Sequence, residues 1–468
     1  MNNQRILIVI NIATQFKVLR HVIELLNESS KFHPIVYLDF STVNLSDSLV
    51  YCRENKIEFI TFGNVPKDFY QTENNSNNKN ANKEIAKQNY LKGLLKQLFF
   101  VQFLSLVRFY LRELSTKKQL LVSKKIKLLI LAEDGVGYNN CVFTKATNLL
   151  QIPSVVIPFT VCNALEPLSK IKNRPSYSTN RLANNLLFKL VRKWGYEHNK
   201  KRYVRLPAPQ ALAMEISGVS PPLPWQMNSG FANRIFVESK YMYDYYMAEG
   251  INEDKLHITG MLSDDIVFNI INNQQTYRKE FTLKYNLDAN KPIILFAIPP
   301  FITYQAPIGD FSSGIDMVGF ILNLFKEQSR FNVVLNFHPR SNKEDYELIR
   351  HFDIPLTDED ITKIIPLCDL FIASISATIR NAIACGKPVI NYDLFKHRYT
   401  DYNNVDGVIT VYAKDEFEQT FSQFTNDQSL MEKIKLKQKK HRDYFGILDG
   451  KRKDEFMQHF ELLTPEPI

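Results

Sequence analysis

An imidazole, a guanidinium and three hydroxyls recur at short range in the second half of this 468-residue chain. His338-Pro339-Arg340 is followed by Ser374-Ile375-Ser376-Ala377-Thr378, and then by Gly386-Lys387-Pro388-Val389-Ile390. Such groups recognise phosphate: the cations meet negative charge and the hydroxyls complete its hydrogen bonds. Both stretches follow apolar runs, Phe331–Phe337 and Leu370-Phe371-Ile372-Ala373, that read as buried parallel strands. In an open α/β sheet the ligand lies beyond the carboxyl ends of the strands, where helix N-termini add free N–H groups. A nucleotide-sugar site is the leading expectation, with Pro339, Arg340, Ser374, Ser376 and Thr378 beside His338 on the donor.

A second candidate is acidic. Ala132-Glu133-Asp134-Gly135-Val136-Gly137-Tyr138 comes straight after the apolar run Leu128–Leu131. Two adjacent carboxylates at a strand end, with glycines to turn the chain, suit the removal of a proton from an acceptor hydroxyl. Proton transfer near neutral pH needs a carboxylate of raised pKa, which burial and a like-charged neighbour both supply. Thr14-Gln15-Phe16-Lys17 follows the first strand toward the same mouth, so Thr14, Gln15 and Gly135 are the expected acceptor contacts. His33-Pro34 repeats the His-Pro dipeptide without a hydroxyl cluster and reads as structural. Acidic residues nowhere take metal-ligand spacing, so no metal and no cofactor are expected beyond the nucleotide-sugar substrate.

The elements around these residues alternate. Strands are expected at Arg5–Ile12, Pro34–Asp39, Glu58–Phe62, 128–131 and 154–157, separated by helices at 17–27, 49–55 and 141–150. Gln71–Lys83 is rich in Asn and Lys and reads as a loop, and 84–127 as a helical insertion. Pro207, Pro209, Pro221, Pro222 and Pro224 break the pattern, and alternation resumes at Arg234. The fold class is therefore α/β: two Rossmann-like domains facing each other across a cleft, the GT-B architecture. The expected acceptor domain is 1–215, the nucleotide-sugar domain 216–440, and a helical tail fills 441–468. Asn381 sits where many GT-B enzymes carry a glutamate for the ribose hydroxyls, and an amide can still donate to them and accept from them.

Apolar content of 45% and charged content of 23% belong to a globular protein. The net charge of +9 is concentrated: residues 181–205 hold eight Lys and Arg against Glu197 alone. Five scattered cysteines without C-x-x-C spacing indicate free thiols in a reducing compartment. No secretory signal and no bilayer-spanning run is evident, so a cytoplasmic protein is expected. The apolar segment 98–107, trailed by lysines, and the basic run 181–205 suit an anionic membrane surface, giving a peripheral position at the inner face of the plasma membrane. Nucleic acid is not an expected partner, because basic residues are not interleaved with an aromatic platform.

With these motifs in order, the chain resembles the bacterial sialyltransferases and related transferases that use CMP-activated sugars. They share acidic-acidic-Gly, His-Pro and paired Ser/Thr motifs, here Glu133-Asp134-Gly135, His338-Pro339 and the cluster Ser374–Thr378. The resemblance implies an inverting transfer with Glu133 as base and Asp134 its neighbour. It also implies that His338 contacts the phosphate and assists departure of the nucleotide, with a hydroxyl pair on the same phosphate. Because Ile375 and Ala377 interleave the hydroxyls, the pair is either Ser374/Ser376 or Ser376/Thr378. The donor would be a sialic-acid-like or Kdo-like CMP-sugar and the acceptor a glycan or glycolipid, as in lipopolysaccharide or capsule synthesis. Segments 249–260 and 404–409 look instead like UDP-N-acetylglucosamine 2-epimerases, whose glutamate near Val155–Pro158 is missing here. The half from Phe296 to Asp393 is also similar to CDP-glycerol phosphotransferases. A UDP-sugar transferase, such an epimerase and a CDP-polyol phosphotransferase are thus the alternatives.

Overall fold

Short apolar runs with polar ends build two parallel sheets. The computed structural model describes residues 3–63, 65, 99–160, 164–299, 307–338, 341 and 343–465. The loop expected at 71–83, the start of the insertion from residue 84, Pro339 and Arg340 lie outside them. Strands β1 (Gln4–Ile10), β2 (Phe32–Asp39), β3 (Glu58–Phe62), β4 (Ile126–Leu131) and β5 (Ser154–Val156) open the first sheet. It is completed by β8 (Arg234–Val237) and β9 (Leu256–Ile258), in the order β3-β2-β1-β4-β5-β8-β9. Ile6, Leu7, Ile8 and Val9 of β1 and Leu128 to Leu131 of β4 are fully buried, as strands covered on both faces must be. Their register, Val9 opposite Leu131, brings the residues after both strands to one edge. That edge is the switch point of the sheet, where crossover connections part to opposite faces and leave a crevice.

Helices α1 (Ala13–Glu28), α2 (Ser46–Glu54), α3 (Phe99–Ser123), α4 (Asn140–Leu149), α5 (Leu165–Ile171), α6 (Leu182–Leu190) and α7 (Ala208–Ile216) belong to this unit. In α1, Leu19, Val22, Ile23 and Leu26 recur at helical spacing and are all buried. One face of α3 meets the core: Tyr110 and Leu121 are buried, and Phe103, Val107 and Leu114 pack against buried neighbours. Phe100, Leu104 and Leu111 are exposed. Lys117, one of the lysines expected to trail a surface helix, is buried. Its Nζ donates to Tyr37 Oη at 2.9 Å and lies 4.5–4.8 Å from the rings of Phe143, Tyr37 and Phe62. Burial lowers its pKa against the pull of Glu113. Among the described residues no helix is long and apolar enough to cross a membrane.

The basic run contains a hairpin that its charge conceals. Strands β6 (Gly195–His198) and β7 (Lys201–Val204) are antiparallel, and Asn199 and Lys200 between them have φ of 49° and 61°. Two left-handed residues in succession make the tight turn whose twist matches the flanking strands.

The second sheet contains β10 (Ile293–Ile298), β11 (Asn332–Phe337), β12 (Leu356–Thr357), β13 (Leu370–Ala373), β14 (Val389–Tyr392) and β15 (Val408–Val411). All are parallel, in the order β12-β11-β10-β13-β14-β15. This is the nucleotide-binding order, two strands wound to one side of the first and three to the other. Successive residues of β10 alternate faces: Ile294 and Phe296 join a core with Met317 and Phe325, while Ile293 and Leu295 join one with Phe371 and Ile379.

One compact unit comprises Met1–Val237, Tyr245–His257 and Met457–Ile468, and the other Glu238–Asp244 and Ile258–Phe456. The division differs from the expected boundary at 215/216. Strands β8 and β9 hydrogen-bond into the first sheet, so the proline-rich stretch is a passage within that unit. The expected separate tail, 441–468, is likewise divided between the two units.

Candidate functional site

At the mouth of the first sheet the two adjacent carboxylates have different environments. Glu133 is 4% exposed and Asp134 1%. Asp134 Oδ1 accepts from the Gly230 N–H and its Oδ2 from the Ala232 N–H, each at 2.9 Å. It clasps the chain that leads into β8. Burial raises its pKa, and the two N–H donors oppose the rise. Glu133 has no such clasp, and its Oε1 is buried with no hydrogen-bond partner among the described residues. Burial, reinforced by the charge of Asp134, pushes the Glu133 carboxyl up to about 8, against the opposing pull of Arg205 and Lys170. That is the range of a general base working near neutrality.

The chain after the carboxylates is shaped to leave Glu133 room. A Cβ on Gly137 would lie 2.7 Å from Glu133 Oε1, and one on Gly135 would collide with the Met227 carbonyl. Gly135, expected as an acceptor contact, therefore has a packing reason for being glycine. Tyr138 and Asn139 follow with φ of 51° and 57°. An aromatic residue held there carries strain, which accumulates where a loop must present a group. Tyr138 feels the Glu133 charge, and its pKa is raised by partial burial and by that carboxylate.

A polar network lines the same edge. Asn140 Nδ2, at the start of α4, donates to Asn11 Oδ1 at 2.9 Å, and the Asn11 N–H donates to Gln15 Oε1 at 2.8 Å. Gln15 is fully buried, with Nε2 unpartnered among the described residues, and Asn140 Oδ1 is also buried without a partner. Thr14 is half-buried one position earlier on α1. The register of β1 and β4 thus joins Thr14, Gln15 and Glu133 at one sheet edge. Asn11, Asn140, Arg205 and Lys170 were not singled out from the sequence. Asn11 carried a signal, as the polar residue that ends the apolar run of β1. Arg205 was masked by the basic run around it.

In the second unit, His338 follows β11 directly and is half-buried, its carbonyl accepting the Ser341 N–H at 2.8 Å. Beyond β13 the three hydroxyls separate. Ser376 Oγ and Thr378 Oγ1 are 2.7 Å apart, and the Thr378 N–H donates to Ser376 Oγ at 3.3 Å. Ser374 Oγ is buried and without a partner among the described residues. Between them Ile375 has φ of 46°, and its N–H donates to Asn391 Oδ1 at 3.0 Å. A β-branched side chain in that region is an outlier, held by the Asn391 amide. The hydroxyls brought together are therefore Ser376 and Thr378. Asn381 lies a turn further along the helix Thr378–Ala384, half-buried beside a small pocket. The same pocket holds Arg380, ion-paired to Glu238 at 2.6 Å, and Asp264. Burial raises the Asp264 carboxyl to about 8. Among the described residues no three His, Cys, Asp or Glu side chains converge.

No protein-family model matches the chain, and no curated protein matches it. Solved structures do. The UDP-GlcNAc 2-epimerase of Neisseria meningitidis bound to UDP-GlcNAc shares 12% identity over 98% of this chain and 99% of that one, with a TM-score of 0.51. The glycotransferase of kitacinnamycin shares 10% over 99% and 100%, at 0.53. The wall teichoic acid polymerase TagF shares 11% over 98% and 89%, at 0.50. Together with the two parallel sheets, these likenesses define the fold class as GT-B. Epimerase, glycotransferase and polymerase share it, so the choice among chemistries falls to the side chains.

Proposed function

We propose that the chain is an inverting, metal-independent glycosyltransferase. Its donor is a CMP-linked sugar of the sialic-acid or Kdo kind, and its acceptor a glycan or glycolipid of bacterial surface-polysaccharide synthesis. It works in the cytoplasm, peripherally bound at the inner face of the plasma membrane. One observation carries the reading: a buried carboxylate, Glu133, has an unpartnered oxygen at the switch point of a GT-B sheet. The acceptor hydroxyl passes its proton to Glu133 as its oxygen bonds to the anomeric carbon. The bond from that carbon to the donor phosphate breaks, and its electron pair leaves on the nucleotide. His338, Ser376 and Thr378 meet the charge that grows there, with Ser374 and Arg340 as further donors and Asn381 on the ribose. Thr14 and Gln15 orient the acceptor. Asp134 holds the loop that presents Glu133.

The order of acidic-acidic-Gly, His-Pro and Ser/Thr motifs supports the CMP donor. A thermal-shift panel of CMP, CDP, UDP, GDP and dTDP tests it. CMP alone is expected to raise the midpoint. Stabilisation by UDP alone would transfer the reading to hexosamine chemistry, and no stabilisation by any nucleotide would reject it. In the same assay Ser376→Ala is expected to weaken CMP binding about tenfold, the loss of one hydrogen bond to a charged phosphate. An unchanged Kd would remove Ser376 from the phosphate.

A further inference from the structure

The helix α6 displays a row of leucines to solvent. Leu182 is 88% exposed, Leu186 58% and Leu190 73%. Four-residue spacing confines them to an arc of about 80° on one face. The row cannot turn inward, because the opposite face is anchored. Asn184 Nδ2 donates to the carbonyls of Ser176 and Ser178 at 2.8 and 2.9 Å, and its Oδ1 accepts the Ala208 N–H at 3.0 Å. Leu187 is buried in the core with Trp194 and Val204. Single exposed leucines are ordinary, but three aligned on nine residues of fixed helix are not.

The charge around the row says what covers it. Arg181, Lys189 and Arg192 are exposed on and beside α6, and Lys200 and Lys201 at the turn of the β6–β7 hairpin. None of these five forms an ion pair among the described residues. Glu197, the only acid between 181 and 205, is paired with Arg202. The hairpin and the helix are one packed module: the Arg202 guanidinium lies 5.4 Å from the Phe188 ring, and the Thr179 N–H donates to the Arg202 carbonyl. An apolar stripe bordered by unpaired cations is complementary to a surface of acyl chains beneath anionic headgroups.

We propose that this face docks on an anionic phospholipid bilayer, with Leu182, Leu186 and Leu190 among the acyl chains and the surrounding cations against the headgroups. The inference deepens the peripheral position given above and rests on it. The chain that leaves β7 reaches Arg205, whose charge acts on Glu133, so the docked module is continuous with the acceptor side of the first sheet. A lipid-linked acceptor in that bilayer would be delivered beside the carboxylate.

Flotation of the full chain with vesicles, without donor or acceptor, separates this claim from the chemistry. Binding is expected to phosphatidylglycerol-containing vesicles at low salt, not to phosphatidylcholine alone, and to be released at about 1 M salt, where screening is nearly complete. Leu182→Ser/Leu186→Ser/Leu190→Ser is expected to weaken binding about 100-fold, the loss of three partly inserted side chains, with an unaltered thermal midpoint and CMP response. Lys189→Glu/Arg192→Glu, which retains the leucines, is expected to weaken it about 30-fold or more. Absent binding to anionic vesicles, or undiminished binding by the triple variant, would overturn the proposal. So would a wild-type dimer that the triple variant dissolves, since the row would then be a contact between copies. Loss of transfer with vesicle binding intact would count against the chemistry alone.

Discussion

Glu133→Gln is expected to reduce transfer about 1,000-fold, within the range a positioned general base contributes, while CMP still raises the thermal midpoint by the wild-type amount. The amide retains the volume and the position over Gly137 but cannot take the proton. If Glu133 is the base, wild-type kcat/KM climbs with pH and levels off above about 8, where the carboxyl loses its proton. The pH dependence of stability has the opposite sign. A carboxyl raised from 4.5 to about 8 is protonated in the folded chain and ionised in the unfolded one between those values. Folding then takes up a proton, so stability falls as pH rises through that window and the loss is complete above it. Glu133→Gln lacks this slope. It is expected to match wild type near pH 5 and to melt higher than wild type at pH 9. Equal activity in the variant, or parallel melting curves across that range, would sink the assignment.

The positions of these groups along the chain were legible because the sheets are parallel and buried. Strands β4, β11 and β13 are apolar runs that stop at Glu133, His338 and Ser374, and in such a sheet the first polar residue past the carboxyl end is where a ligand sits. The clasp that Asp134 makes was not legible. The partners of Asp134 come from Gly230 and Ala232, nearly a hundred residues on, and spacing cannot reveal a hydrogen bond of that range. The hydroxyl pair was open for a different reason. A regular helix or strand through 374–378 would place the side chains by periodicity, but Ile375 is left-handed, and Ser374 Oγ makes no hydrogen bond among the described residues while Ser376 meets Thr378. Pro221, Pro222 and Pro224 broke the local pattern without ending the first sheet. Strand pairing, not the loop between strands, decides membership of a domain, so the first unit runs on past 215 to Val237 and takes in Tyr245–His257 as well. Lys117 illustrates the reverse masking, a buried cation inside a run of surface ones.

Asp134→Ala is expected to act on stability first, and this separates it from its neighbour. The carboxylate accepts two backbone N–H groups that are buried with it, and alanine would leave both donors unpaired where no water replaces the oxygens. The loss is about 3 kcal/mol, on the order of 10 °C in the unfolding transition of the first unit. Asparagine repairs half of this, because its carbonyl can accept one N–H while its amide confronts the other. The close approach of Gly230 to the Asp134 backbone leaves no room for a larger replacement to swing aside. Urea unfolding should therefore rank wild type above Asp134→Asn, and Asp134→Asn above Asp134→Ala. Activity in these variants should fall only as far as Glu133 is displaced. The pH limb should persist in the fraction that folds, because the base is still present, but it should move below 8, because the charge of Asp134 no longer reinforces the effect of burial. A stable, inactive Asp134→Asn with no pH limb would exchange the roles of the two carboxylates, and the proton would then pass to the residue that the structure shows clasping a loop.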